Sequence, residues 1–429
     1  MPLNDIKITK IEKGLGRPAP VEDSTSALLM GGIALTADTT DPANPLPELK
    51  LDNLYLFYSV EDAEKARITK SYDEDNNVLI HYHISEYFRL APGQPLYVYL
   101  VAQGTTFEQM CDAATANSLR TLLNVADGKI RQVGMVLNPA GGTGGTATAG
   151  IEDDVATAIP MAQTVADEVY ALHYPVDIII EGRGFDATTI GTVLDLTSLE
   201  SENVSVVIAQ DLDMLSITPS NGGTTPITNT GYAAVGTYLG MTASKGVADS
   251  PAEVGLNYQG NVQSLGLQKY INYGYGGKAL NLYSTTDQDV IYDKRYVALR
   301  TFQGAKGVYF TQSFTCADAE NDFIFLELSR THNKAHRSIY KAYVPYINTK
   351  FRLTEQGLIP GEVVKYLENI GNNVFVQMQN NGEVSAGKTY IDPNQSVVLS
   401  RKLNVKWKMV PMGKLEAVDG ELSFTLNLE

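Results

Sequence analysis

The sequence predicts a multidomain protein of the α/β to α+β class, with mixed sheets flanked by helices and an extended strand arm at each end. Its 429 residues correspond to about three domains at roughly 150 residues each. Strand and helix patterns alternate as far as residue 300, which is typical of parallel sheets in α/β proteins. From residue 301 onward strand patterns predominate, so this part is expected to form a separate α+β domain.

Residues 1–21 are predicted to form an extended N-terminal arm. Ile6 and Ile8 have the two-residue spacing of a strand, and their polar neighbours point to the opposite side. Two glycines and two prolines between residues 14 and 20 then interrupt regular structure. A short strand separated from its domain in this way must pair with a sheet of this chain or of another chain.

Residues 22–300 are predicted to form an α/β body. Ser59 is a suitable N-cap for a helix over the residues that follow it. The apolar patterns predict strands at 96–102, 130–137, 176–182 and 203–209, and helices at 107–123, 152–172 and about 232–243. A Gly/Thr-rich connector occupies residues 138–150, and the long segment 213–231 is expected to be an exposed or functional loop.

The C-terminal domain, residues 301–429, is predicted to begin with strands at 306–314 and 322–329 and a helix from about residue 330. Strand-rich sequence follows, and Asp419-Gly420 suits the two-residue turn of a terminal β-hairpin. After this turn, four apolar side chains share one strand face: Leu422, Phe424, Leu426 and Leu428.

Composition excludes several classes of protein. Lys and Arg number 33 against 49 Asp and Glu, and the resulting net charge of −16 argues against binding to nucleic acid or to an acidic membrane surface. Charged residues make up only 19% of the chain, so much of its surface is expected to be covered by other molecules. Neither a signal peptide nor a bilayer-spanning apolar stretch is visible, so we expect a soluble protein made in the cytoplasm.

The residues that most often carry chemistry do not form a convincing site. Cys111 and Cys316 lie too far apart in sequence for a disulfide framework or a zinc site, and we expect two buried thiols. His81 and His83 have the spacing of one strand face and are a possible ligand pair, but the sequence supplies no third ligand. His332 and His336 have the spacing of a metalloprotease helix, yet the catalytic Glu of that motif is replaced by Asn. No cofactor or metal is therefore expected.

Residues 382–389 match the phosphate-loop pattern Gly-x-x-x-x-Gly-Lys-Thr. Such a loop must lead into a helix, whereas Thr389 is followed by extended sequence and Pro393. Glu383 would also place a negative charge inside the phosphate cradle. A plain turn between strands is the preferred interpretation, and a nucleotide-binding enzyme is the less favoured one. The glycine run at 141–145 is interpreted as a linker, because its spacing does not fit the dinucleotide fingerprint.

Basic side chains form one stripe on the helix predicted near residue 330. Four of them fall within roughly 60° of one another around a helix axis. These four define the basic ridge: Arg330, Lys334, Arg337 and Lys341. The opposite side carries Ala335, Ile339, Ala342 and Tyr343, so the helix is expected to bury this apolar face and to display the ridge. The ridge is either an ordinary solvated face or a contact for an acidic partner, whose register charge complementarity would set.

The C-terminal third of the sequence resembles the tail sheath proteins of contractile phage tails and contractile injection systems. Residues 307–347 are similar to a sheath strand followed by the long helix that faces the tube. Residues 382–428 resemble the terminal strands and hairpin, and residues 250–262 are similar to a segment in the middle of the phage forms. The resemblance covers about half of the chain.

This resemblance implies a structural protein without catalytic activity or cofactor. Sheath subunits assemble as stacked hexameric rings around a tube, their terminal strands pair with neighbouring subunits, and contraction drives the tube through a cell envelope. The implied inter-subunit strand residues are Ile6 and Ile8 at one end and Leu422, Phe424, Leu426 and Leu428 at the other. The basic ridge would face the tube.

The implied partners are further copies of the chain, a tail tube protein, and baseplate and tail-terminator proteins. The implied location is a virion tail or an injection-system particle that is assembled in the bacterial cytoplasm. Neither nucleic acid nor direct membrane insertion is implied. Another tail component, such as a tube or baseplate protein, is the main alternative.

Overall fold

The computed structural model describes residues 22–39, 46–116, 118–140, 144–217, 227–229, 231–254, 273–303, 307–395, 397 and 401–425. The chain divides into two compact units, Met1–Ser329 and Arg330–Glu429, which we call the N-terminal unit and the C-terminal unit. No helix in the described ranges is long and apolar enough to cross a bilayer.

The regular elements are numbered in chain order. The helices are α1 (Val60–Lys65), α2 (Lys70–Asn76), α3 (Ile80–Leu90), α4 (Phe107–Cys111), α5 (Leu119–Val125), α6 (Asp153–Ala171), α7 (Val235–Ala243), α8 (Thr285–Asp293), α9 (Leu326–Tyr343) and α10 (Gly361–Asn380). The strands are β1 (Ser26–Gly32), β2 (Leu54–Phe57), β3 (Leu96–Ala102), β4 (Gln132–Val136), β5 (Asp177–Glu181), β6 (Val204–Val207), β7 (Gln210–Asp211), β8 (Ser216–Ile217), β9 (Ile227–Thr228), β10 (Tyr273–Tyr275), β11 (Lys278–Ala279), β12 (Leu299–Arg300), β13 (Tyr309–Phe310), β14 (Val384–Ile391) and β15 (Val405–Pro411).

A six-stranded sheet forms the centre of the N-terminal unit, in the order β2-β3-β1-β4-β5-β6. β2 runs antiparallel to β3, and all other neighbours are parallel. β1, β4, β5 and β6 are buried along their whole length, as expected for parallel strands that are covered on both faces. The alternating strand and helix pattern therefore predicted the α/β class of this unit correctly.

Three predictions in the N-terminal unit need correction. The single helix expected over 107–123 is two short helices, α4 and α5. Asp112 ends the first of them, because its carboxylate accepts hydrogen bonds from the Ala114 N–H at 2.9 Å and the Thr115 hydroxyl at 2.8 Å. Such local side-chain bonds compete with the helical ladder.

The expected strand at 322–329 is also wrong, because helix α9 already begins at Leu326. The Leu326 N–H donates to the Ser313 carbonyl, and Phe325 makes only an isolated bridge to Phe314. A short apolar run does not distinguish a buried strand from the first turn of a buried helix. Of the described residues 307–314 in the strand expected at 306–314, only Tyr309–Phe310 is regular strand.

The C-terminal unit contains a two-stranded antiparallel ribbon, β14–β15, that packs on helix α10. Two small apolar clusters join ribbon and helices, one around Val374, Met378 and Val384 and the other around Leu367 and Ile391. A two-stranded ribbon needs such a helix layer to be stable. The contact is close, since a Cβ at Gly387 would lie 2.3 Å from the Phe375 ring.

As far as residue 425, where the described part of the chain ends, the terminal hairpin predicted around Asp419-Gly420 is not formed. Residues 412–425, which we call the C-terminal tail, have no helix or strand, and Leu422 and Phe424 are 101% and 109% exposed. An isolated hairpin is marginal in water without a further layer to cover it, which accounts for this difference. Leu426 and Leu428 lie outside the described residues, as do Ile6 and Ile8 of the N-terminal arm.

Candidate interaction surface

The crevice where a doubly wound sheet usually binds its ligand is filled by the chain itself. Strand β1 lies between β3 and β4, so the switch point lies at the carboxyl ends of β1 and β4. Asn138 occupies it. The Asn138 Nδ2 donates to the Gly31 carbonyl at 2.8 Å, and its Oδ1 accepts from the Leu79 N–H at 3.1 Å. The fold therefore places structural hydrogen bonds where an enzyme of this architecture would hold a substrate.

A buried ionic cluster follows the end of β5. The Glu181 carboxylate accepts hydrogen bonds from the N–H groups of Leu137 and Ala233 at 2.9 and 2.8 Å. The Arg183 guanidinium lies 3.4 Å from Glu152 and 3.8 Å from Glu181. Burial raises the pKa of Glu181 to about 7, and the Arg183 charge opposes that rise. Because the Glu181 carboxylate binds the amides of two loops, the cluster has a structural role.

The histidine pair proposed as ligands does not form a site. His81 and His83 lie on helix α3 rather than on a strand, so a separation of two residues points them to different sides. His83 is fully buried, its Nδ1 accepts from the Gly236 N–H at 3.1 Å, and burial lowers its pKa to about 3. His332 and His336 are one turn apart on α9. Within the described ranges, no group of three His, Cys, Asp or Glu side chains could hold a metal ion.

Both thiols are buried and unpaired, as expected. Burial raises the pKa of Cys111 to about 12 and that of Cys316 still higher.

The phosphate-loop match is a helix-to-strand turn rather than a turn between strands. Gly382 follows α10 with a φ of +72°, and residues 384–391 then form β14. No helix follows the loop, so its amides cannot converge on a phosphate. Glu383 instead pairs with Lys334 at 2.5 Å. Of the glycine-rich connector, residues 141–143 lie outside the described ranges.

Exposed apolar side chains are concentrated in the C-terminal unit. The N-terminal unit has six exposed large hydrophobic residues in its described part, whereas the much shorter C-terminal unit has fifteen. They are Tyr340, Val344, Ile347, Phe351, Leu353, Tyr366, Val376, Tyr390, Trp407, Val410, Met412, Leu415, Val418, Leu422 and Phe424. Exposed apolar surface is typical of regions that contact another molecule.

Charge is also unevenly distributed between the units. Residues 330–429 contain 13 Lys and Arg against 9 Asp and Glu, a net charge of +4. Residues 1–329 contain 20 Lys and Arg against 40 Asp and Glu, a net charge of −20. The C-terminal unit is thus better suited to acidic partners than the N-terminal unit is.

The basic ridge is displayed only in part. Arg330 is 4% exposed, Lys334 is paired with Glu383, Arg337 is half-buried and Lys341 is exposed. The expectation that the whole ridge faces solvent is therefore wrong at Arg330, because α9 begins earlier than predicted and its first turns are buried. The opposite face behaves as predicted, since its apolar side chains pack in the core cluster around Met378.

The two edges of the β14–β15 ribbon differ in whether they can pair with a further strand. Side chains of α10 occupy the outer edge of β14: the Thr389 N–H donates to Asn372 at 2.7 Å, and the Ile391 N–H donates to Glu368 at 2.9 Å. Gln379 donates to the Ser385 carbonyl at 2.9 Å. The β14 edge is therefore closed to another strand.

The edge of β15 is open as far as the described residues show. Thr389 lies opposite Trp407, and because its N–H points to Asn372, this pair is one of the non-hydrogen-bonded pairs of the ladder. The backbone groups of Trp407, and of Val405 and Met409 two residues away on either side, consequently point away from β14. They form a row of donors and acceptors that can receive a strand.

Two family models match almost the whole chain: the DUF2586 N-terminal domain over residues 3–314 and the DUF2586 C-terminal domain over residues 322–429. The chain belongs to the DUF2586 family. A search of curated proteins found no match to this DUF2586 chain.

Solved structures similar to the DUF2586 chain come from contractile injection systems. A chain of the anti-feeding prophage baseplate has a TM-score of 0.59 and 14% identity, and the match covers 99% of this chain and 100% of that one. A chain of the contracted anti-feeding prophage helical sheath has a TM-score of 0.59 and 13% identity, with both chains fully covered. A chain of the contracted PVC sheath complex, from an extracellular contractile injection system, has a TM-score of 0.56 and 12% identity, with 99% and 97% covered.

These matches show that the DUF2586 chain has the fold of contractile sheath proteins over its whole length. They confirm, at the level of the fold, the resemblance that the C-terminal residues suggested. They also extend it to residues 22–230, where no sheath-like motif is visible in the sequence.

Sequence reasoning missed the closed edge of β14. Its signal was present in helix α10, where Glu368, Asn372 and Gln379 recur at intervals of four and seven residues and so share one helix face. Their role depends on a strand that follows the helix in the chain, and only the structure shows which side of that strand they reach.

Proposed function

We propose that this DUF2586 protein is the sheath subunit of a contractile tail or injection-system particle. It polymerises as stacked hexameric rings around an inner tube, and the polymer contracts to drive the tube through a target cell envelope. The observation that carries this proposal is the end-to-end match of its fold to sheath chains, together with a C-terminal unit that exposes apolar side chains beside a tail with no helix or strand in its described residues.

The proposed work is mechanical, so no catalytic site or cofactor takes part. Head-to-tail contacts between identical subunits generate open helices. A tail that forms no strand in its described residues can supply one that a neighbour adds to its own sheet. Each fully buried Leu or Phe side chain stabilises such a contact by about 1.5–3 kcal/mol. Contraction is then a change between two packings of the same units, summed over many copies.

The proposed partners are other copies of the chain, the tube protein, and the baseplate and terminator proteins at the two ends. The tube contact uses the solvent-facing part of the basic ridge, which is Lys341 with the half-buried Arg337. The particle is a virion tail or an injection-system particle assembled in the bacterial cytoplasm.

Negative-stain electron microscopy of the purified protein tests this function. We expect wild-type protein to form rings or tubes, and protein lacking residues 421–429 to remain folded but unassembled, because the donor strand is missing. Deletion of residues 1–13 tests the N-terminal arm in the same way. A monomeric wild-type protein that turns over a nucleotide would contradict the proposal.

A baseplate component is the second candidate, because one of the matching chains comes from a baseplate structure. The two candidates differ in location and copy number. Immunogold labelling of the native particle would mark a sheath subunit along the whole shaft, and a baseplate protein only at its end.

A further inference from the structure

We infer that Lys406 and Lys408, which lie along the open edge of β15, select by charge the C-terminal tail that a second copy donates in the proposed assembly. The inference rests on the proposed function and deepens it, because it names the acceptor edge and the residues that choose the donor strand. The neighbouring edge, on β14, is already hydrogen-bonded to Glu368, Asn372 and Gln379.

The two faces of β15 have opposite chemistry. Val405 and Met409 pack with the apolar clusters of the C-terminal unit, and Trp407 lies edge-on to Tyr343 with ring centroids 5.5 Å apart. The alternate residues Lys406 and Lys408 are exposed on the other face of the ribbon. A strand added beside β15 would therefore meet apolar side chains on one face and lysines on the other.

The outer face of the ribbon carries an electrostatic cost within the isolated chain. Lys408 lies directly opposite Lys388, and Lys406 lies opposite Tyr390 on the same face. Like charges directly opposite each other destabilise an antiparallel pair. Within the described residues, none of these three lysines has an ion pair. An acidic strand beside β15 would remove this cost.

The C-terminal tail has the matching two-faced pattern. In an extended conformation, Val418, Leu422 and Phe424 share one face, and Asp419 and Glu421 lie on the other. Its apolar face can continue the surface of Trp407 and Met409, while its two carboxylates lie beside Lys406 and Lys408. Side chains opposite each other on neighbouring strands are roughly 5 Å apart at Cβ, which is close enough for ion pairs.

A charge exchange between two full-length variants tests the inference. Variant A carries Lys406→Glu and Lys408→Glu, and variant B carries Asp419→Lys and Glu421→Lys. Each variant alone brings like charges together, so we expect sedimentation velocity to show loss of the polymer boundary. In an equimolar mixture, the tail of each variant meets the oppositely charged edge of the other, and the polymer boundary should return.

The matched control carries Lys350→Glu and Lys365→Glu, which makes the same charge change at two exposed positions of the C-terminal unit outside the β14 and β15 strands. This control should assemble like wild type, and all variants should keep the wild-type thermal unfolding midpoint within a few degrees, since exposed substitutions are usually mild. Wild-type assembly by variant A alone, or no recovery in the mixture, would overturn the inference.

Deletion of residues 421–429 distinguishes failure of the strand exchange from failure of the selection by charge. If the deleted protein still assembles, the C-terminal tail is not the donor and the proposed strand exchange fails. If the deletion abolishes assembly while variants A and B assemble normally, the proposed function stands and the selection by charge is wrong.

Discussion

Glu181 shows how a buried carboxylate couples stability to pH in this fold. Burial raises its pKa from 4.5 to about 7, so the folded protein keeps the proton to a higher pH than the unfolded chain does. Between about pH 5 and pH 7 the folded state therefore binds more protons. The free energy of unfolding must then decrease as the pH rises through this window.

We expect Glu181→Gln to remove this contribution, because glutamine does not titrate. The slope of the free energy of unfolding against pH should become less negative by at most about 1.4 kcal/mol per pH unit. Urea unfolding at pH 5, 6 and 7 measures it. The exposed Glu320→Gln variant is the control and should keep the wild-type slope. Identical slopes for Glu181→Gln and wild type would show that Glu181 does not titrate in this range.

Lys334 and Lys341 belong to one predicted ridge but have different environments. Lys334 is 19% exposed and pairs with the largely buried Glu383, whereas Lys341 is exposed. Lys334→Ala leaves a buried carboxylate without its partner, so we expect it to lower the free energy of unfolding by about 1–3 kcal/mol. Lys341→Ala should change it by less than about 0.5 kcal/mol. Equal effects in chemical denaturation would contradict the difference in burial.

At the scale of whole elements, the close packing of helix α3 against helix α7 requires a glycine at residue 236. A Cβ at Gly236 would lie 2.4 Å from the His83 carbonyl oxygen and 2.7 Å from its Cα. Alanine at this position would force the two helices apart.

We expect Gly236→Ala to lower the free energy of unfolding by about 1–3 kcal/mol, the usual cost of overpacking. Gly191→Ala is the matched control, because nothing lies within 4 Å of a Cβ at that position. Its effect should stay within about 0.5 kcal/mol. A tolerated Gly236→Ala in thermal or urea unfolding would mean that the helices can separate without loss.

Elements with strong local signals could be predicted from the sequence, and those that depend on distant partners could not. The continuous apolar runs of β3 and β5 are where the sequence places them, because a parallel strand that is covered on both faces has few alternatives. The start of α9 is predicted wrongly because the apolar run before residue 330 fits a buried strand as well as the first turn of a buried helix. The hairpin at Asp419-Gly420 has the correct turn residues, yet local turn chemistry does not supply the layer that it must pack on.

The candidate surface was predictable in composition but not in geometry. Alternation in residues 405–409 indicates a strand with one apolar and one basic face. Which edge of that strand is open depends on hydrogen bonds made by α10, and these cannot be read from the strand itself. The burial of Arg330 likewise depends on what surrounds the first turns of α9.

At the scale of the whole molecule, the acidic N-terminal unit buries most of its apolar side chains, whereas the basic C-terminal unit leaves many of them exposed. In its described part, the N-terminal unit has one large apolar core with a small second cluster, and few exposed apolar side chains. The C-terminal unit has small core clusters, an open strand edge and an exposed tail. This contrast is expected if the N-terminal unit is a self-sufficient body and the C-terminal unit completes its packing only in an assembly.

High-resolution electron cryomicroscopy of the assembled protein tests the central claim most directly. The account predicts a backbone hydrogen-bond ladder between residues 412–425 of one copy and the open edge of β15 in another. A tail that pairs only within its own chain, or an assembly held together without any backbone ladder between copies, would contradict it.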